Sequence, residues 1–320
     1  MSAQSITLKD IQKTAKRIKP YIYRTPSIYA HALSEYYGAR IYLKLENLQL
    51  TGAFKIRGNA NKLSLLSDEE LAGGVVTASS GNHGLGLSLS AKRRSVRATV
   101  MVPERTPQVK LTKLKKYGAQ LRIEGNSYDD AVYKAMEFAE ETGAIYIPSF
   151  DDWDIIAGNT TLGLEILEDV PDLKLVVAPI GGGGCISGIS LALNVFSSKA
   201  RVKGVEAEEA SSMYASLQAG KPTVVKNGYT LADGIAVKKP GHITYKLVKR
   251  YVDDIILVAD DEMKEALKLL LYSAKVLPEM AGAASLAALE KIDLPSEGST
   301  VIVVSGGNID EKMLIEILRN

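Results

Sequence analysis

The sequence predicts an α/β fold made of two open, twisted parallel-sheet domains with flanking helices. Three observations carry that expectation. Short apolar runs alternate with stretches of helical periodicity along most of the chain, the pattern of successive βαβ units. The alternation runs through two series, residues 75–147 and 175–304, with no internal repeat or low-complexity tract. And Val301 to Val304 is apolar at every position, as expected of a strand covered on both faces.

The elements follow in order. An amphipathic helix comes first, with Leu8, Ile11, Ala15 and Ile18 on one face. Arg40 to Glu46 reads as a strand and Asn47-Leu48-Gln49 as a polar turn. The first series then sets out Val75 to Ala78 as a strand, a helix from about Gly84 to Arg94, a strand over Ala98 to Val102 and a helix from Pro107 to Tyr117. Gln120 to Ile123 is a further strand. It leads to a helix with apolar positions Tyr128, Ala131, Val132, Ala135 and Ala139, for which Ser127 and Asp130 form a capping pair. Ala144 to Ile147 closes the series. The second series has strands at Leu175 to Ala178, Val202 to Val205, Ile255 to Val258 and Val301 to Val304. A Gly-rich turn and helix follow the first of these. The third leads into a helix begun by Asp260, Asp261 and Glu262, with Met263, Ala266, Leu267 and Leu270 on one face. The division expected is a large domain of residues 1–70 and 152–320 and a small domain of residues 71–151, with the boundary near Pro148 to Asp154.

Composition bounds the function. Hydrophobic residues make up 46% and charged residues 24% of 320, which suits an ordinary globular protein with a sizeable core. Basic and acidic residues number 39 and 37, a net charge of +2, so there is no electrostatic footprint for nucleic acid or membrane. The densest basic runs, Lys92-Arg93-Arg94 and Lys113 to Lys116, fall at the ends of expected helices, where cations complement the dipole. The one cysteine, Cys185, excludes an internal disulfide and favours a reducing compartment. Met1-Ser2-Ala3-Gln4 does not open a signal peptide, and no run approaches the roughly 18 apolar residues of a membrane span. A cytoplasmic protein is expected.

Four segments can carry chemistry, each just past the end of a strand, where open α/β sheets place their sites. Gly181-Gly182-Gly183-Gly184 turns successive backbone N–H groups toward one point, with a helix start behind them: an anion nest suited to a phosphate. The dinucleotide spacing fails, because Ser187 stands where the third glycine belongs, and no P-loop lysine follows. The plain alternative is a tight turn. In Thr51 to Gly58, Lys55 lies between Phe54 and Ile56, and an amine so placed loses solvation and becomes available for Schiff-base chemistry. By itself it also reads as a snorkelling surface lysine. Ser79-Ser80-Gly81-Asn82-His83-Gly84 offers hydroxyls, an amide and N–H groups to a carboxylate, or simply caps a helix. Zinc is disfavoured, since His31, His83 and His242 have no ligand spacing. Ser305-Gly306-Gly307-Asn308 lets something flat approach the backbone, with an uncharged hydroxyl for a ring nitrogen, or is a loop turn.

Together, in this order, the four segments resemble those of the fold type II pyridoxal-phosphate (PLP) enzymes, the threonine dehydratase and serine racemase group with its tryptophan synthase beta-like fold. The resemblance runs from about Ile18 to the C-terminus and implies the short form, without a regulatory domain. It implies that the large domain binds PLP, with Lys55 as Schiff-base lysine and proton acceptor from Cα. Phe54 is implied to pack near the ring, Asn82 to bond its hydroxyl, Gly181 to Gly184 to bind the phosphate and Ser305 to meet the pyridine nitrogen. Gly234 and Glu279 are implied to lie beside the ring, and Ser79, Ser80, Gly81 and His83 to hold the substrate carboxylate. Some relatives bind a divalent cation; Glu206 matches one ligand, but Ser212 stands where a second carboxylate is expected. Leu85, Asn159-Thr160 and Met280-Ala281 depart from the group's common residues and are expected to alter the substrate pocket.

The activity implied is a threonine/serine dehydratase (ammonia-lyase) giving a 2-oxo acid and ammonia. A serine racemase is the first alternative, because Ser80 offers a proton opposite Lys55. A 3-hydroxyaspartate dehydratase is the second, with Arg57 undecided. A non-catalytic ligand sensor is the reading from another class, against which the intact Lys55 stands. The resemblance also implies a homodimer or homotetramer.

Overall fold

The computed structural model describes residues 6–226 and 229–319. Met1 to Gln4, the segment that does not open a signal peptide, lie outside the described residues. In chain order the strands are β1 (Ser27–Tyr29), β2 (Arg40–Leu45), β3 (Val75–Ala78), β4 (Ala98–Val102), β5 (Gln120–Ile123), β6 (Ile145–Tyr146), β7 (Leu173–Pro179), β8 (Arg201–Ala207), β9 (Asp254–Val258) and β10 (Ser299–Val304). The helices are α1 (Leu8–Ile18), α2 (His31–Tyr37), α3 (Ile56–Leu65), α4 (Asn82–Arg93), α5 (Gln108–Lys116), α6 (Tyr128–Thr142), α7 (Trp153–Asp169), α8 (Gly184–Val195), α9 (Ser212–Ala219), α10 (His242–Tyr251), α11 (Asp260–Ala274), α12 (Met280–Ala287) and α13 (Glu311–Arg319).

The strands form two sheets, one ordered β1-β2-β10-β7-β8-β9 and one ordered β5-β4-β3-β6. Every pairing is parallel except β1 with β2. That exception has a simple cause. The link from Ala30 to Ala39 is shorter than the dozen or so residues a parallel crossover needs, so β2 returns antiparallel, with Tyr29 opposite Tyr42. Strand β10 sits centrally in the larger sheet, between β2 and β7, and is buried at every position, as its unbroken apolar run predicts.

Helices with one apolar stripe were readable from the sequence. Helix α6 carries the Ser127–Asp130 capping box, and α11 buries Met263, Ala266, Leu267 and Leu270. Helices α7 and α12 were not, because they are buried nearly all round and present no stripe. Two cores cover the faces of the larger sheet. One gathers α11 and α12, and the other gathers α7, α8 and α10. Helix α7 lies against both α3 and α8. Gly158 abuts the Arg57 carbonyl, and a Cβ on Gly163 would stand 2.7 Å from that of Ala192.

Candidate active site

Lys55 sits at the start of α3, in the loop that leaves β2. Two backbone hydrogen bonds fasten that loop to the segment after β10: the Phe54 N–H donates to the Ser305 carbonyl at 3.1 Å and the Gly307 N–H to the Gly52 carbonyl at 2.8 Å, pairing Ala53 with Gly306. The Lys55 and Ser305 segments, distant in sequence, are thus held side by side. The Lys55 ammonium donates to the Ser149 carbonyl at 3.1 Å and lies 5.3 Å from the centre of the Phe54 ring. Burial lowers its pKa to about 8, only partly offset by Cys185 and Glu279.

Below it lies a buried ion cluster. Arg57 donates to Glu46 at 2.8 Å and to Glu165 at 2.7 Å, and Lys44 donates to Glu165 at 2.7 Å. Burial opposes the charge on Arg57, but Glu46 and Glu165 outweigh it and hold the guanidinium above its ordinary range. Arg57 is therefore a structural cation, fully enclosed, and does not reach a substrate.

The glycine turn between β7 and α8 is shaped by contact. Gly182 lies against the Phe150 ring so closely that any side chain would collide with it. Gly183 adopts φ +88°, which other residues rarely do. Ser149 meets Lys55 and its neighbour Phe150 meets Gly182, so one short strand-to-helix link brings the amine and the nest together. The first-turn N–H groups of α8 supply the donors and the positive helix end.

The Ser79 to His83 segment joins β3 to α4. Ser79, Ser80, Gly81 and Asn82 are half-buried, and the Gly81 N–H donates to Ser79 Oγ at 3.3 Å. The Asn82 amide crosses to the other sheet's loops, donating to Glu279 at 2.6 Å and accepting from Asn308 Nδ2 at 2.8 Å. His83 corrects its expected role. Its ring is buried, with Nδ1 3.3 Å from Asn59 Nδ2 and Nε2 3.1 Å from both Thr77 Oγ1 and the Ile147 carbonyl. Burial, then Lys55, drive its pKa down to about 3. Both ring nitrogens are spent inside the protein, so only the backbone N–H of residue 83 can serve a carboxylate.

Gly234, Glu279 and Ser305 close the site. A Cβ on Gly234 would stand 3.0 Å from that of Ala281 and 3.4 Å from a Glu279 carboxylate oxygen. Burial and Asp233 push Glu279 up to about 7. Ser305 Oγ is 3.4 Å from the Ala281 carbonyl. Of the three departures from the common residues, Met280-Ala281 borders the space beside Gly234. Leu85 packs in the core of the smaller sheet with Val100, Val102, Leu111 and Leu114, and Asn159 lies behind the glycine turn.

Glu206 also needs correction. Its carboxylate accepts from the N–H groups of Met213 at 2.9 Å and Tyr214 at 2.8 Å, capping α9, and burial raises it to about 8. No group of three or more His, Cys, Asp or Glu suited to a metal occurs among the described residues. Sequence reasoning missed Ser149 and Phe150, whose parts exist only because the link between the sheets passes there. Asn308 stood in a quoted motif but had no role until it met Asn82. Lys110 of α5 also pairs with Asp233 beside Gly234, at 2.5 Å, another tie between the two halves.

The residues present suit pyridoxal phosphate. A desolvated amine faces a glycine-shaped helix start, and a neutral hydroxyl with a bridging amide flanks the space between. Residues 18–306 match the family described as pyridoxal-phosphate dependent enzyme. The L-threonine ammonia-lyase of Thermotoga maritima is 47% identical over 98% of this chain and 78% of that protein. The catabolic L-threonine dehydratase of Escherichia coli K12 is 41% identical over 98% of this chain and 96% of its own. Maize serine racemase superposes with a TM-score of 0.93 at 34% identity, over 99% of this chain and 98% of its own.

Proposed function

The chain belongs to the pyridoxal-phosphate-dependent enzyme family, and on that premise we propose that it is a threonine/serine ammonia-lyase releasing 2-oxobutanoate or pyruvate and ammonia. The observation that carries the reading is the half-buried Lys55 amine, tied through Ser149 and Phe150 to the Gly181–Gly184 nest. Bound pyridoxal phosphate supplies the electron sink that makes the substrate Cα proton removable.

The protein's own groups divide the remaining work. Lys55 holds the cofactor and takes the Cα proton. A pKa lowered to about 8 leaves part of the amine neutral, and so able to accept it, near neutral pH. The Ser149 carbonyl gives the amine a resting partner. First-turn N–H groups of α8 take the phosphate, and those of α4, with Ser79, Ser80 and Gly81, take the substrate carboxylate. Asn82 reaches the ring hydroxyl while bridging Glu279 and Asn308. Phe54 and Gly234 flank the ring. Ser305 carries no charge, so it does not hold a proton on the ring nitrogen, which favours elimination over transamination. Ser305→Asp should shift products toward the amino-transfer side, and an unchanged product distribution counts against that role.

Racemisation of serine is the second reading, favoured by Ser80, a half-buried hydroxyl at the substrate loop. The site residues named, and the division into residues 1–70 with 152–320 and residues 71–151, are parts of this proposal. The two separate sheets support the division. So are a cytoplasmic location and a homodimer or homotetramer, the oligomeric state being measured by light scattering of the purified protein. No described helix is long and apolar enough to cross a membrane. Release of 2-oxo acid from L-threonine, L-serine and 3-hydroxyaspartate, measured beside D-serine formation, tests the activity. We expect 2-oxo acid from threonine or serine. D-serine alone would overturn the lyase reading.

A further inference from the structure

The glycine turn has a support that no role above uses. Asn159 lies on α7, 2% exposed, and its Nδ2 donates to the Gly184 carbonyl at 3.0 Å. Its other amide atom, Oδ1, is buried with no hydrogen-bond partner. An asparagine that leaves half its amide unmatched costs stability, so packing alone does not account for it. The contact is close all round. A Cβ on Gly188, one turn further along α8, would stand 2.6 Å from that of Asn159. On the preceding residue, Gly158 abuts the Arg57 carbonyl, two residues into the segment that starts with Lys55. Adjacent residues of α7 therefore touch the helix that carries the lysine and the helix that carries the nest.

We propose that Asn159 is a positioning residue for the glycine nest, fixing the first peptide of α8 so that its N–H is presented to the cofactor phosphate. The peptide joining Gly184 to Cys185 is planar and trans, so its carbonyl and its N–H point in opposite directions. Anchoring the carbonyl toward α7 aims the Cys185 N–H away from it, out of the helix start. A donor on the carbonyl also polarises the peptide and strengthens that N–H. Because Gly158 seats on α3 one residue earlier, the same stretch of α7 sets the span between nest and amine.

The inference rests on the cofactor reading above and concerns the phosphate alone, so the test compares pyridoxal phosphate with pyridoxal, which lacks the phosphate. Affinities of the cofactor-free protein are read by absorbance and by quenching of the single Trp153. Asn159→Ala should weaken pyridoxal phosphate by about tenfold, the scale of one buried hydrogen bond, and leave pyridoxal unchanged. Asn159→Asp keeps the shape, removes the donor and should weaken the phosphate form at least as much. It also serves if the alanine variant does not fold. Equal losses for both ligands would mean general packing and overturn the proposal, as would no loss for either. Wild-type protein that binds neither ligand would sink the cofactor reading itself, a distinct outcome from a wild type that binds both while the variants keep its preference.

Discussion

Lys55 and Arg57 are two residues apart at the start of α3, one cation half-buried and the other fully buried, and they meet opposite conditions. Arg57 has Glu46 and Glu165 within hydrogen-bond reach and keeps its charge, raised above its ordinary range. Lys55 has the Ser149 carbonyl and the Phe54 ring but no carboxylate in hydrogen-bond reach, and a pKa lowered to about 8. The ion cluster pairs each buried charge with its opposite, and within it Glu46 and Arg57 hold each other in their charged forms. The pocket above leaves Lys55, Glu279 and His83 without a matched counter-charge, and each is drawn toward its neutral form. Paired charge makes a rigid floor, and unpaired titratable groups make a reactive site on top of it.

Substitutions at the two positions should separate these roles. Lys55→Met should reduce 2-oxo acid release by at least about a thousandfold, the upper range for loss of a proton-transfer group, with borohydride no longer trapping cofactor at position 55. Arg57→Met should leave Glu46 without its paired guanidinium and Glu165 with Lys44 alone, and cost about 3–5 kcal/mol, read as a fall in the urea midpoint. The cofactor-free Lys55→Met protein should move the other way. Folding then no longer has to bury a charged amine below the folded pKa of about 8, so stability rises by up to about 3 kcal/mol there, and the gain vanishes above the ordinary 10.5. If both variants destabilise alike, the contrast between floor and pocket fails.

Glu279 gives a smaller effect of definite sign. Its folded pKa of about 7 lies above the ordinary 4.5, so the folded state holds an extra proton in that window and stability declines as pH rises through it. Glu279→Gln should flatten the decline by about 1–3 kcal/mol in urea titrations run from pH 5 to 8. Glu206, raised to about 8, should leave a residual slope that only a second substitution, Glu206→Gln, removes. Smallest of all, Lys110→Ala breaks a pair whose Asp233 side chain is 64% exposed and should cost under about 1 kcal/mol in 150 mM salt.

Much of this was legible in the sequence. The α/β class followed from strand-length apolar runs, and the glycine turn, the Lys55 loop and Ser305 each stand directly after a strand that the apolar pattern located. The antiparallel β1, the largely buried α7, the all-buried α12 and the link through Ser149 and Phe150 were not. A three-residue strand has no period, a helix without a polar face has no stripe, and a link between sheets has no local pattern at all.

By itself the sequence determined the fold class, because burying apolar residues at periods of 2 and 3.6 leaves few architectures, and it determined the order of the loops that the sheets carry past their ends. Only the tertiary structure decided which polar side chains face the pocket. His83 turned inward to Asn59, Thr77 and Ile147, Glu206 to the start of α9, and Arg57 to Glu46 and Glu165. Lys55 was left with a backbone carbonyl and the Phe54 ring and no paired counter-charge. A side chain's chemistry is written in its residue type, but whether it is used up or kept free depends on partners that only folding brings within about 3 Å.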